Sequence, residues 1–179
     1  NFYLKNDDIE KSFKETIKGF SSESVDIQAK LQLYLMLSEN REKSKLTDEQ
    51  DNTLVQLLLE KHPNEFLIHT ILAEKALKNN KMEEARVELL KALELENGDY
   101  ALWERLLFID SDLQRWQDLY DHSNSALELF PNQPQAYFLN ALACLQLEKY
   151  DETISIADEG LAFVIENKQL EGQFLMLKG

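Results

Sequence analysis

The feature that most constrains this chain is a repeat. The segments Asn80-Lys-Met-Glu-Glu-Ala85, Arg115-Trp-Gln-Asp-Leu119 and Lys149-Tyr-Asp-Glu-Thr153 occupy matching places. Aligning them puts Met82, Trp116 and Tyr150 in one column of a constant 34-residue period. The same register aligns His69 with Trp103 and Tyr137, Leu72 with Leu106 and Asn140, and Ala73 with Leu107 and Ala141. It also aligns Ala85 with Leu119 and Thr153, Ala92 with Ala126 and Gly160, and Leu93 with Leu127 and Leu161, while Pro63, Asn97 and Pro131 close the units. A fixed period of this length marks a unit that folds by stacking on copies of itself.

Each unit reads as two helices. Apolar residues recur three and four apart over 66–78 and again over 81–95, the spacing of one helix face. Five Gly and three Pro in the whole chain are too few for a sandwich or barrel with many tight turns. Pro131 and Pro134 fall between units, where a missing N–H costs nothing. Small residues in the columns of Ala73, Ala85 and Ala92 let two helix backbones approach closely. A lone pair of such helices cannot bury its apolar face, so neighbours must stack.

On the 34-residue period, the Trp103/Tyr137 column, the Tyr150-Asp-Glu segment, the Ala92/Ala126 column and Pro131, the sequence resembles the tetratricopeptide-repeat family. The resemblance implies an all-α, right-handed superhelical solenoid of antiparallel helix pairs over 1–179. Full repeats are expected at 66–99, 100–133 and 134–167, with a divergent repeat at 24–63 whose helices run over about 24–37 and 47–61. The loop 38–46 between those two helices is longer than the pattern allows. A partial repeat is expected at 1–20, with 1–4 as the tail of a first helix, and 168–179 reads as the start of a further repeat. The chain is therefore expected to be a piece of a longer array. Several columns depart from the family pattern. Leu107 stands where a small residue is usual, Asp110 where an aromatic or Ala is usual, Asn140 where Leu is usual, and Gly160 where Ala is usual. Four extra residues are expected after the third unit. Asp110 and Asn140 buried without partners would cost about 1–3 kcal/mol each, so hydrogen bonds for both, or a locally rotated helix, are expected.

The chemistry-bearing residues point away from catalysis. Nineteen Lys+Arg against 33 Asp+Glu give a net charge of −14, and no basic stripe is present beyond the short Arg41-Glu-Lys43-Ser-Lys45. This disfavours a nucleic-acid or anionic-membrane partner. No run of eighteen apolar residues exists to insert in a bilayer. Cys144 is the sole cysteine and reads as a small buried hydrophobe. His62, Glu65 and His69 are close in sequence, but Pro63 intervenes and His69 sits in the aromatic column, so packing is expected there and no metal. The glycines are isolated and form no phosphate loop. Ser21, Ser22 and Ser24 read as a helix cap. Glu83-Glu84 and Asp151-Glu152 open second helices, where they favour the dipole. No enzyme activity and no cofactor are expected.

A second stripe on each first helix points away from the core columns. It holds Leu67, Thr70, Glu74 and Leu77, then Ala101, Glu104, Phe108 and Ser111 with Asp112 beside them, then Gln135, Phe138, Leu142 and Leu145. The resemblance implies that this stripe lines a concave groove gripping a peptide or helix of a partner protein. Phe108, Phe138 and Leu142 would bury apolar partner side chains, and Glu74, Glu104 and Asp112 would form a negative rim. Some members of the family hold an acidic tail with Lys, Arg and Asn on this stripe. Here those places carry Thr70, Glu74, Arg105, Gln135 and Leu139, so an apolar or basic-apolar partner is expected. The rival reading is a structural spacer or regulatory segment of a larger multidomain or envelope-associated protein. Self-association through truncated repeat ends, Phe2-Tyr3-Leu4 and 174–177, is a further expectation. The compartment stays open, with the cytoplasm and the bacterial cell envelope both compatible with a soluble chain.

Overall fold

The computed structural model describes residues 9–179, with side chains from residue 10 onward; the expected helix tail at 1–4 lies outside them. Among the described residues every regular element is a helix: α1 (Ile9–Ser21), α2 (Ile27–Glu39), α3 (Arg41–Ser44), α4 (Asp48–Lys61), α5 (Phe66–Lys78), α6 (Met82–Leu95), α7 (Tyr100–Asp112), α8 (Trp116–Leu129), α9 (Pro134–Gln146), α10 (Tyr150–Leu161) and α11 (Lys168–Lys178). The chain divides into two compact units, Asn1–Ile71 and Leu72–Gly179.

In the second unit the backbone keeps the period of the sequence. First helices open at Tyr100, Pro134 and Lys168, and second helices at Met82, Trp116 and Tyr150, each one full period after the last. The four extra residues expected before the last helix are therefore absent: α11 keeps the register, and the departures at 162–167 are substitutions within a loop of ordinary length.

The turn inside each pair is closed the same way three times. Asn80, Gln114 and Glu148 adopt left-handed backbone at φ 57, 56 and 59°. That conformation lets Lys81, Arg115 and Lys149 N–H reach back to the carbonyls of Ala76, Asp110 and Cys144 at 2.8–2.9 Å, which satisfies orphan carbonyls at the helix end. Across the pair, Ala85, Ala92, Leu119, Ala126 and Ala157 have no measurable exposure. Trp103 Nε1 donates to the Asn97 carbonyl at 2.9 Å and the Tyr137 hydroxyl to that of Pro131 at 3.1 Å, so each ring pins the loop that precedes its helix.

Both out-of-pattern polar residues are buried and paired, as expected. Asp110 accepts from Arg86 Nε at 2.5 Å and from His122 Nδ1 at 2.7 Å, while Arg86 Nη2 also reaches Asp118 at 2.7 Å. Three helices, α6, α7 and α8, thus meet on one carboxylate. Asn140 donates to Ser123 Oγ at 2.8 Å and Asn124 Oδ1 at 2.9 Å. Gly160 has a steric reason: a Cβ there would lie 2.5 Å from Tyr137 Cβ and 2.6 Å from Phe174 Cζ. The missing methyl admits Phe174, which α11 buries completely among Ala141, Ala157 and Leu170.

The first unit follows the same logic with an insertion. The step from first-helix start to second-helix start is longer here, from Ile27 to Asp48, than the step from Tyr100 to Trp116. The additional residues form α3, and Lys45 closes it in left-handed backbone at φ 53°. Asp51, 1% exposed, stands in the small-residue column and is satisfied by the Tyr34 hydroxyl at 2.9 Å and Arg41 Nη2 at 2.8 Å. His69 is buried and its Nε2 lies 3.0 Å from the Pro63 carbonyl, to which it donates, the same loop-pinning contact made by Trp103 and Tyr137. The serine cap is not formed as expected. Ser21 ends α1, Ser22 and Ser24 bond each other at 2.8 Å, and Asp26 caps α2 by accepting from Gln28 N–H at 3.0 Å. The carboxylate two residues before a free N–H outcompetes the more distant hydroxyls.

Two substitutions test this account. Asp110→Ala takes the buried carboxylate from Arg86 Nε and His122 while Asp118 still pairs Arg86 Nη2, and chemical denaturation is expected to show a loss of about 2–4 kcal/mol. Gly160→Ala is expected to cost about 1–3 kcal/mol by the same measurement, with Phe174→Ala in the same background costing less than it does in the parent because the ring is already displaced.

Candidate functional site

The stripe on the first helices of the second unit is accessible along its length, while the columns beside it are closed. On α7, Phe108 is 44% exposed and Asp112 is exposed, whereas Trp103, Leu106, Leu107 and Asp110 are buried. Three and four residues apart, Ala101, Glu104, Phe108 and Ser111 fall on one face of α7, and each retains solvent contact. On α9, Gln135, Phe138, Leu142 and Leu145 are half-buried. The register of α11 carries the stripe on to Gly172 and Met176, and Met176 is 79% exposed. Met176 was not among the stripe residues read from the sequence, which ended at Leu145; carrying the 34-residue period one step on from Leu142 finds it.

Two parts of the stripe are already engaged. Glu74 on α5 receives a bond from Arg105 Nη1 on α7 at 2.7 Å, with both side chains near 45% exposed. An ion pair at that exposure contributes about 0–1 kcal/mol, yet it neutralises one of three acids in the expected negative rim. Glu104 and Asp112 remain. Phe138 meets Phe174 edge-to-face, with ring centroids 5.7 Å apart, so α11 covers part of that ring. Phe108 is therefore the large apolar group of the stripe with the most exposed surface on α7 and α9. Leu67 and Thr70 occupy stripe positions on the part of α5 in the first unit; both are half-buried, and Thr70 Oγ1 bonds the Phe66 carbonyl at 3.1 Å.

The second helices of the second unit are joined by ordered polar contacts. Arg115 bonds both oxygens of Glu83 at 3.0 Å. The Tyr120 hydroxyl donates to Glu152 at 3.0 Å, one period on from the Arg86–Asp118 bond. Lys149 lies 3.5 Å from the Tyr120 ring centroid, close enough for a cation–π attraction. These exposed pairs link consecutive second helices and contribute about 0–1 kcal/mol each.

Groups able to do chemistry are scarce and occupied. Among the described residues no group of three or more His, Cys, Asp or Glu is placed to hold a metal ion. His122 is held on Asp110, and His62 Nε2 is held 3.1 Å from the buried Lys30 Nζ. In the first unit a cleft of about 680 Å³ lies between α1 and α4, lined by Ile17, Ser21, Glu49, Thr53, Leu57 and Glu60. Cys144 is fully buried, and burial, then Glu152, push its thiol up to about 11.

No family model matches the chain and no curated protein matches its sequence. Solved structures do match. The MamA structure labelled AMB-1 superposes with a TM-score of 0.63 at 17% identity, covering 88% of this chain and 84% of MamA. The TPR2B domain of yeast Sti1, in a complex with pHsp70, gives 0.55 at 14% identity over 63% of this chain and 92% of its own. The second TPR domain of human RPAP3, in complex with the HSP70 peptide SGPTIEEVD, gives 0.55 at 16% identity over 64% and 99%. The fold is that of tetratricopeptide-repeat domains, an all-α stack of helix pairs. Among the described residues no helix is long and apolar enough to cross a membrane.

The state of Cys144 gives a direct check on the packing beneath the stripe. A thiol raised to about 11 is protonated at pH 8, so a thiol reagent is expected to label the folded protein at that pH at least tenfold more slowly than the unfolded chain. Equal labelling rates would mean that α9 and α10 open readily.

Proposed function

We propose that the chain is a non-catalytic scaffold, built on repeat units 66–99, 100–133 and 134–167, that grips a segment of a partner protein along its first-helix stripe. The single observation that carries this reading is Phe108, a large aromatic left 44% exposed on a face whose neighbouring columns are closed. Exposed apolar surface in a continuous row is the usual mark of a contact site. Leu142, Leu145 and Met176 extend the row, and Gln135 adds a hydrogen-bonding group.

Proteins of this fold in Sti1 and RPAP3 are seen with chaperone proteins or peptides, which supports a protein or peptide as the ligand class. The acidic peptide seen with RPAP3 does not suit this stripe. Arg105 is occupied by Glu74, Leu139 is only 2% exposed, and Glu104 and Asp112 would repel a carboxylate-rich tail. An apolar or basic-apolar segment fits better, lying against Phe108 with its positive charges toward Glu104 and Asp112.

The test uses Phe108→Glu rather than a change at Phe138, because Phe138 also supports Phe174. In affinity capture from the source organism, followed by titration with the recovered partner, the variant is expected to lose at least tenfold in affinity while keeping the parent's circular dichroism and melting curve. If parent and variant retain the same partners, or neither retains any, the stripe is not the binding surface and a spacer role takes its place.

A further inference from the structure

The junction between α6 and α7 holds two residues able to react with each other, and we propose that it is a site of self-modification: Asn97 cyclises onto the backbone nitrogen of Gly98, with Glu96 taking the proton. Asn97-Gly98 is the sole Asn-Gly pair in the chain. Such a ring closure needs a backbone nitrogen that can approach the asparagine side chain, and glycine presents its nitrogen with no side chain in the way. The place of the pair in the repeat gives the reaction a consequence. Pro63 and Pro131 are the counterparts of Asn97, and all three supply a carbonyl that pins the first helix to follow. Pro63 accepts from His69 at 3.0 Å, Asn97 from Trp103 at 2.9 Å, and Pro131 from Tyr137 at 3.1 Å. Proline has no side-chain amide, so of these three junctions only the one between α6 and α7 can convert its own pin.

Residues 96–99 join the two helices without regular structure, and Glu96, Asn97 and Gly98 are all exposed, so water reaches them. The Asn97 side-chain amide has no hydrogen-bond partner among the described residues, which leaves it free to turn. The Gly98 N–H already meets a base. It donates to Glu96 Oε1 at 2.9 Å, a distance that allows the proton to be handed over. The carboxylate sits so close to Gly98 that a Cβ there would stand 2.9 Å from the same oxygen. Any other residue at 98 would push that oxygen aside. The asparagines of the matching loops lack this arrangement. Asn64 and Asn132 are exposed, but Glu65 and Gln133 follow them, and the Glu65 N–H is engaged by the His62 carbonyl at 3.2 Å.

Water is the only co-reactant. As the Gly98 nitrogen bonds to Asn97 Cγ, its proton passes to Glu96. Glu96 returns that proton to the side-chain nitrogen, whose bond to Cγ breaks, and ammonia leaves. The product is a cyclic imide that joins the side chain and the main chain of residue 97. Water then opens the ring in one of two ways. Addition at Cγ breaks the new bond to Gly98 and leaves an aspartate in an intact main chain. Addition at the main-chain carbonyl breaks the original peptide bond, and the chain runs on through the side chain as isoaspartate. In that second product the oxygen that Trp103 Nε1 holds belongs to a carboxylate outside the main chain, and the link from α6 to α7 is longer by one methylene. Trp103 then no longer fixes the path of the loop into α7, the helix that presents Phe108.

The experiment is incubation of the folded full chain at mildly alkaline pH in heavy-oxygen water. Peptide mass spectrometry then locates each converted asparagine and tells the two linkages apart. Asn97 is expected to convert at least tenfold faster than Asn64 or Asn132, with a single heavy oxygen gained per event and isoaspartate among the products. Glu96→Gln is expected to slow conversion at 97 at least threefold in the folded chain and to leave Asn64 and Asn132 unchanged. In denaturant, where Glu96 is not held against Gly98, parent and variant are expected to convert alike. The separated isoaspartate form is expected to melt below the parent, and Trp103→Phe, which removes the donor, is expected to shrink that difference. Conversion at 97 no faster than at 64 and 132 overturns the site. A rate unchanged by Glu96→Gln, or slowed equally in denaturant, overturns Glu96 as the proton acceptor. Equal melting of the two forms overturns release of the pin. None of these readouts depends on a partner, so failure here and failure of the stripe as a binding surface are separately visible.

Discussion

Everything in the second unit depends on how closely two short helices can approach. Helices of three or four turns are marginal alone and draw their stability from packing. The closest approach runs along the second helices, where Ala85, Ala92, Leu119, Ala126, Ala157 and Gly160 face their partners at no or almost no exposure. The tight left-handed turns at Asn80, Gln114 and Glu148 bring the helices to that distance, and each places a non-glycine residue where only glycine is unstrained. Such a turn persists because the backbone bonds and the packing beyond it over-determine it.

Close approach leaves little room for polar atoms, which explains why those present are bonded so fully. Asp110 would be the most costly group in the unit if it stood alone. Arg86 and His122 satisfy both its oxygens, and Arg86 reaches on to Asp118. A carboxylate that joins α6, α7 and α8 also fixes their relative rotation, because its two oxygens must face two different helices. Asp51 solves the same problem in the first unit with Tyr34 and Arg41. Arg41 is supplied by the segment that lengthens the loop, so the insertion and the buried acid belong together.

How much of this was legible in the sequence follows from which physical rule governs each part. The helix pairs were legible because periodicity and small-residue columns are properties of a linear pattern; α5 occupies the span its spacing predicts. That Asp110 and Asn140 would be bonded followed from the cost of burying them. Their partners did not, since Arg86 lies on another helix and nothing local selects it. The cap of α2 was misplaced because three serines are a stronger pattern than one Asp, although geometry favours Asp26. The last helix begins at Lys168, where the reading of 168–179 as the start of a further repeat put it, although the four extra residues expected after the third unit are not there. The stripe was legible as a row of residues but not as a state of occupation: that Arg105 neutralises Glu74 and Phe174 shields Phe138 depends on neighbouring helices.

The exposed large apolar residues on the first helices of the second unit, Phe108, Leu175 and Met176, are therefore of two kinds. Phe108 and Met176 lie in the stripe, a position whose counterparts all keep some solvent contact, so the fold itself leaves that row uncovered. Leu175 lies in a column whose counterparts Ala73, Leu107 and Ala141 are closed, so its exposure is not shared along the repeat. In the proposed scaffold role, a ligand of the first kind would lie on a shallow row of side chains, with Phe108 and the acids beside it setting its chemistry. The distinction rests on register, and it separates two rows of side chains that exposure alone would merge.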